Sequence, residues 1–360
     1  MRSSDFYDLV SGRKRGVGPM LARAGLSVVE LPYGVGVWWR NRRYDRQGEL
    51  VTRVEAPVLS VGNLTLGGTG KTPIVKWLAR YYREKQLRVA IVSRGYGAEA
   101  GAKNDEALEL EQSLPDVPHI QNPDRVAAAQ TAIEELGAEL ILMDDGFQHR
   151  RLGRDLDFVL IDATEPFGYE RLFPRGALRE PIGSLRRAQV VCLSRADRAD
   201  SATRRAIRER VQTIAPNAHW CESIAKPSRL ITAGENAFDP LPGAPLESLD
   251  QKKVTVFCGL GNPAAFRATV ESLGAELNAF REFPDHHAYT REDIESLASM
   301  AADCDALVCT HKDLVKIGAS EIGGKPLWAI EIEAQITGGA TGLSERLDAL
   351  GEDASARSAV

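Results

Sequence analysis

The chain has few cysteines, and none stands in a C-x-x-C pair: Cys192, Cys221, Cys258, Cys304 and Cys309 are scattered through 360 residues. That spacing excludes a zinc ribbon and a dithiol redox motif. An odd count in a chain this long points to buried free thiols in a reducing compartment. No secretory signal is apparent at the start. No uninterrupted apolar run of membrane-spanning length occurs either. The most apolar early stretch, Val17 to Trp39, is broken by Arg23, Glu30 and Pro32, whereas a spanning helix needs ~20 mostly apolar residues. Excess positive charge is also missing. The net charge of −5 excludes bulk binding of nucleic acid. No internal repeat is visible.

What is present is an ordinary globular composition, 43% hydrophobic and 26% charged, with length enough for two medium domains. The charge is uneven. Residues 1–46 carry nine Lys/Arg against four Asp/Glu, which leaves the remainder at −10. Trp38 and Trp39 precede Arg40, Arg42, Arg43 and Arg46. Rings beside cations have the makeup of an interfacial anchor, with the cations toward anionic headgroups. The alternative is a helix packed on the domain's own core.

Short apolar runs end repeatedly in Gly, Asp or Ser. Residues 57–61, 88–93, 139–143, 156–162 and 188–194 read as strands, and 72–86, 124–136 and 198–214 as helices. Alternation of this kind predicts an α/β fold, a mostly parallel sheet flanked by helices of the phosphate-loop NTPase type. A second, smaller α/β domain follows, with strands at 253–258 and 306–309 and a helix at 263–273. The expected organisation is an N-terminal helical, membrane-surface segment (1–50), a main parallel-sheet domain (51–225), a hinge (226–250), the smaller domain (251–345) and a frayed tail (346–360).

Four constellations carry chemistry. Gly67-Gly68-Thr69-Gly70-Lys71-Thr72 lies between a strand and a helix. Its glycines let backbone amides turn around phosphate oxygens, Lys71 reaches the β- and γ-phosphates, and the Thr72 hydroxyl suits Mg²⁺. The usual pattern has Gly where this chain has Thr65. Asp144-Asp145 follows an apolar strand, a place from which a carboxylate holds Mg²⁺; on extended backbone the two side chains point oppositely. Asp105-Glu106, taken alone, reads as a solvated acidic pair. Asp285-His286-His287 offers adjacent histidines beside an acid but no third metal ligand. Two lesser features remain. Arg175 and Arg179 sit in one loop, where arginine suits an anionic substrate group. Ser194-Arg195-Ala196-Asp197 follows a strand where guanine-specific GTPases carry Asn-Lys-x-Asp; the Asn and Lys are missing, so guanine specificity is not supported.

Taken together, V-G-N-L-T-L-G-G-T-G-K-T-P (61–73), S-R-G-Y-G (93–97), N-D-E-A-L (104–108), D-D-G-F-Q-H (144–149), F-P-R-G-A-L-R-E-P (173–181), G-L-G-N-P (259–263), F-P-D-H-H-A-Y-T (283–290) and T-H-K-D (310–313) resemble the tetraacyldisaccharide 4′-kinase family, the lipid A 4′-kinases. The resemblance implies phosphorylation by ATP, with Mg²⁺, of the 4′-hydroxyl of a lipid-bearing glucosamine disaccharide 1-phosphate at the cytoplasmic face of the inner membrane, by a peripheral or monotopic enzyme. It implies a catalytic Asp at Asp105 with Glu106 near the metal, and a supporting His at His286 that pairs with Asp105 across the cleft. Lys71, Thr72, Asp144 and Asp145 take the phosphate and Mg²⁺ roles. Arg94, Gln148, His149, Arg175 and Arg179 are the candidate substrate contacts. No obligate protein partner is implied. The alternatives are a kinase for another amphiphilic sugar or lipid, and an NTPase switch with a protein partner.

Overall fold

The computed structural model describes residues 3–95, 105–234, 241–261, 263–284 and 287–358. Two helices open the chain, α1 (Ser3–Val10) and α2 (Val17–Arg46). Then come β1 (Val58–Asn63), α3 (Lys71–Glu84), β2 (Val89–Ser93), α4 (Asp105–Ser113), β3 (His119–Gln121), α5 (Arg125–Glu134) and β4 (Leu140–Asp144). β5 (Leu156–Asp162), β6 (Val190–Ser194), α6 (Ser201–Ile214), β7 (His219–Thr232), β8 (Leu241–Pro242), β9 (Lys253–Cys258) and α7 (Pro263–Ser272) follow. The last elements are β10 (Glu276–Glu282), α8 (Arg291–Met300), β11 (Ala306–Thr310), α9 (His311–Ile317), β12 (Glu321–Ile322), β13 (Lys325–Gly338) and α10 (Ala340–Ser358).

The chain divides into two units, one of Met1–Arg94, Val117–Ala225 and Ala334–Val360, the other of Gly95–Asp116 and Lys226–Glu333. In the first unit the strands run in the order β7-β6-β5-β1-β4-β2-β3. Each neighbouring pair there is parallel. β1, β2, β4, β5 and β6 are buried along their whole lengths, as a sheet covered by helices on both faces requires. One face packs Val58, Val92, Val126, Ala129, Ile141 and Met143; the other packs Phe147, Val159, Ile161, Leu193, Ile207 and Val211. In the second unit β9 pairs in parallel with β10 and β11, and β11 with β13. Phe257 faces one core there, and Val254, Val256 and Cys258 face the other. All five cysteines are buried and free.

Three stretches differ from the sequence reading. Residues 95–116 group with the second unit, because α4 lies against α9, with a 2.9 Å contact between Gln112 Oε1 and His311 Nε2. Residues 226–232, expected to be a hinge, continue β7. The tail expected to fray is α10, which returns to the first unit. There Tyr82 Oη donates to Leu347 O at 3.1 Å, Tyr81 Oη donates to Asp348 at 2.6 Å, and Leu347 is fully buried.

α2 is a single 30-residue helix that passes through Pro32. Its apolar side faces out: Val17, Met20, Leu21, Val28, Val29, Leu31, Val35, Trp38 and Trp39 are all exposed. Its polar side faces in. Glu30 accepts the Leu172 amide at 2.8 Å, Tyr33 Oη donates to Arg179 O at 3.0 Å, and Arg40 and Asn41 each reach Glu180 at 2.9 Å. Among the described residues no helix is long and apolar enough to cross a membrane.

Replacing Leu347 with Ala deletes buried methyl groups from the α10 contact. Urea unfolding is expected to show a loss of ~2–5 kcal/mol; an unchanged midpoint would show that α10 contributes nothing to the first unit's core.

Candidate active site

The phosphate loop leaves the carboxyl end of β1, where ligands bind in open parallel sheets. Gly67 (φ 99) and Gly70 (φ 80) stand in the left-handed region that glycine adopts without strain. Gly70 precedes α3, and no side chain caps the helix, so its first amides remain available to an anion. Asn63, the last residue of β1, is fully buried and braces the loop: its Nδ2 donates to Thr69 Oγ1 at 3.0 Å, and its Oδ1 lies 3.5 Å from Lys71 Nζ. Thr65 bridges to Leu178 in an antiparallel pair; the position where glycine is usual is here tied to a neighbouring loop.

β4 ends beside β1, with Asp144 opposite Val61. Asp144 still belongs to the strand, but the backbone does not stay extended at Asp145. Asp145 has φ 50, and Asp144 Oδ1 accepts the Asp145 amide at 2.8 Å. This turn swings the Asp145 carboxylate to Lys71 (3.2 Å) and to Arg179, whose Nη1 donates to both carboxylate oxygens (2.9 and 2.8 Å). Burial pushes the Asp145 pKa up, but the charges and hydrogen bonds of Lys71 and Arg179 outweigh it and hold the group down at about 2. Asp144 stays buried at the strand end.

Further cations surround the pair. Arg125, which begins α5, is buried; burial lowers its pKa, the charge of Arg94 adds to this, and Asp145 and Asp144 oppose it. Nothing in the local sequence marks Arg125: it sits at the start of an Ala-rich helix. Gln148 Nε2 donates to Asn63 O at 2.8 Å, so the D-D-G-F-Q-H turn is tied to β1. His149 is pressed from its ordinary 6.5 to about 4, chiefly by burial and then by the charges of Arg125 and Arg154. Its Nε2 and Gln148 Oε1 are buried without a hydrogen-bond partner among the described residues.

The 173–181 loop splits its two arginines. Arg179 enters the site, whereas Arg175 turns to the N-terminal segment and donates to Val10 O at 3.2 Å. Next to Arg179, fully buried Glu180 is held by Arg40, Asn41 and Arg187, each at 2.9 Å. The inner face of α2 therefore fixes the backbone that presents Arg179.

In the second unit, Asp105 and Glu106 open α4; their side chains, and the whole of His286, lie outside the described residues. The expected pairing of Asp105 with His286 therefore falls outside the described residues. Asp313, fully buried, joins two of the motifs: it accepts the Gly259 amide at 3.2 Å and Tyr289 Oη at 2.8 Å. Among the described residues no group of His, Cys, Asp and Glu that could hold a metal gathers at His287. It stacks on Phe283 at 4.8 Å and pairs with Asp293 at 2.8 Å.

The sequence model of the family described as tetraacyldisaccharide-1-P 4′-kinase matches residues 22–352. The chain belongs to this kinase family. A tetraacyldisaccharide 4′-kinase of Anaeromyxobacter sp. (strain K) is 39% identical over 354 residues, covering 92% of each chain. One from Geobacter sulfurreducens is 33% identical, covering 90% of this chain and 93% of its own. The fold is similar to the crystal structure of LpxK from Aquifex aeolicus in complex with ATP, with a TM-score of 0.70 at 28% identity, covering 92% of this chain and 99% of that one. The family match begins within α2, so α1 lies outside it.

His149 gives this 4′-kinase family member an acid-sensitive site. Unfolded, the ring binds a proton near 6.5; folded, only near 4. Its contribution to stability is thus complete above pH 6.5 and is lost as pH falls toward 4, with a slope of up to about 1.4 kcal/mol per pH unit. In denaturant titrations at about pH 7 and about pH 4.5, His149→Gln is expected to lose less stability on acidification than the parent. Equal losses would show that the ring titrates normally.

Proposed function

We propose that the chain transfers the γ-phosphate of ATP to the 4′-hydroxyl of an acylated glucosamine disaccharide 1-phosphate, giving a bis-phosphorylated lipid A precursor. The observation that carries this reading is the convergence of Lys71, Asp145 and Arg179 beside an uncapped helix N-terminus, in a chain of the 4′-kinase family. The amides of residues 67–72 and the Lys71 ammonium hold the β- and γ-phosphates. Thr72 and Asp144 are the residues that would hold Mg²⁺, which when bound supplies charge for the transferring phosphoryl group. Two protein oxygens suit Mg²⁺, which takes its other ligands from phosphate and water.

Phosphoryl transfer asks a protein mainly for positioning and charge stabilisation. Arg179 offers a guanidinium to the incoming phosphate groups, with Asp145 keeping it aimed. Asp105 orients the sugar hydroxyl and takes its proton, supported by His286. An ordinary Asp, with pKa about 3.9, is a weak base toward an alcohol. In a loose transition state the proton leaves late, so a weak base suffices. Incubation with labelled ATP and the acylated disaccharide 1-phosphate is expected to place label at the 4′ position, and Asp105→Ala to abolish it while ATP binding persists. Label on another acceptor would overturn the substrate; near-normal turnover of the variant would overturn the base.

The substrate's acyl chains require contact with a bilayer, and α2 supplies the surface for it. Its exposed apolar side ends in Trp38 and Trp39, over which Arg42 and Arg43 sit at 5.4 and 5.8 Å. The helix lies on the membrane with its rings at the headgroup boundary and its cations toward anionic lipid, at the cytoplasmic face of the inner membrane. Replacing Trp38 and Trp39 together with Ser is expected to weaken binding to anionic vesicles in a flotation assay by about tenfold or more. Undiminished binding would exclude α2 as the membrane contact.

A further inference from the structure

We propose that Arg195 is a positioning residue for the nucleotide: from the end of β6 it holds the phosphate loop in its binding form. The inference rests on the reading of residues 67–72 as a triphosphate site. Asp162 and Ser194 end the neighbouring strands β5 and β6 in register. The chain then turns through Arg195, whose φ of 52 is a conformation that non-glycine residues adopt at a cost and that the surroundings must enforce. The turn sends the guanidinium across the loop. One nitrogen pairs with Asp162, and Nη2 donates to Gly68 O at 2.8 Å. Ser194 Oγ, buried, donates to Thr69 O at 2.8 Å. Two successive carbonyls of the loop are thus anchored from one strand end.

In a trans peptide the C=O and the next N–H point in opposite directions. Anchoring Gly68 O and Thr69 O toward β6 therefore turns the Thr69 and Gly70 amides the other way, which is the orientation a phosphate cradle needs. A cationic donor on a carbonyl also polarises the peptide and strengthens its N–H as a donor. Glycines at 67, 68 and 70 would otherwise leave this segment with much conformational freedom to lose on binding. At the strand end where guanine-specific GTPases read their base, this chain places an arm that serves the phosphate loop.

Calorimetric titration of the full-length protein with ATP and Mg²⁺, beside steady-state kinetics, tests the assignment. Arg195→Ala is expected to raise the ATP Kd and the ATP KM by about tenfold, the scale of one charged hydrogen bond, while the acceptor KM and kcat stay within about twofold. Arg195→Lys, which keeps the charge without the forked reach, is expected to fall between the two and to fold if the alanine variant does not. An unchanged ATP Kd in either variant overturns the proposal, as does a parallel rise in both KM values with a lowered melting temperature. Because the calorimetry uses no acceptor, failure of the 4′-phosphorylation reading leaves this comparison intact.

Discussion

The geometry of the site depends on how closely the turn after β4 approaches β1. A Cβ on Gly62 would lie 2.6 Å from Phe147 Cβ and 2.7 Å from its amide nitrogen, so only glycine admits the turn. Gly146 is confined in the same way, against Ser60 and Met143. With the turn seated, Gln148 bonds back to Asn63 O, and the left-handed Asp145 delivers its carboxylate to Lys71 and Arg179. One close backbone approach thus determines where the phosphate loop, the acidic strand end and the arginine loop meet.

Charge density follows from that convergence. Lys71, Arg94, Arg125 and Arg179 act on one another or on Asp144 and Asp145 in a partly buried setting. A cluster of this kind contributes little net stability, because desolvation opposes the attraction. Its use is to keep cations and carboxylates in fixed positions at a strand edge, where the protein has little solvent reorganisation left to perform when charge moves.

The N-terminal helix carries two roles on opposite sides. Its polar side grips the 172–181 loop through Glu30, Tyr33, Arg40 and Asn41, and the loop presents Arg179. Its apolar side is left exposed. The pattern is the reverse of an ordinary surface helix, whose apolar stripe faces the core. The helix packs on its own domain through its polar side and buried Val37, while Val17, Met20, Leu21, Val28, Val29, Leu31, Val35, Trp38 and Trp39 stay exposed. One helix thus carries both an exposed apolar surface and the side chains that hold the loop bearing Arg179.

Much was readable from local pattern. The strands at 58–63, 140–144, 156–162 and 253–258 are short apolar runs bounded by Gly, Asp or Pro. The glycine-lysine-threonine run announces a phosphate loop wherever it falls between strand and helix. β7 and β13 were not readable: each is 14 residues long with mixed burial, and their pairing comes from tertiary neighbours that local periodicity does not record. Nor does sequence distance reveal that α4 belongs with α9, or that α10 returns to cover Tyr82. The same limit applies to the site. Lys71 and Asp145 were visible as motif residues. Arg125, Arg195 and Tyr33 gain their meaning only when strand ends and a helix face far apart in the chain meet. By itself the sequence determined the strands at β1, β2, β4, β5 and β6 and the glycine-lysine-threonine loop between strand and helix, because those depend on nearest-neighbour chemistry. Tertiary structure decided which carboxylate meets which cation and which side of α2 faces out, because those depend on distances across the fold.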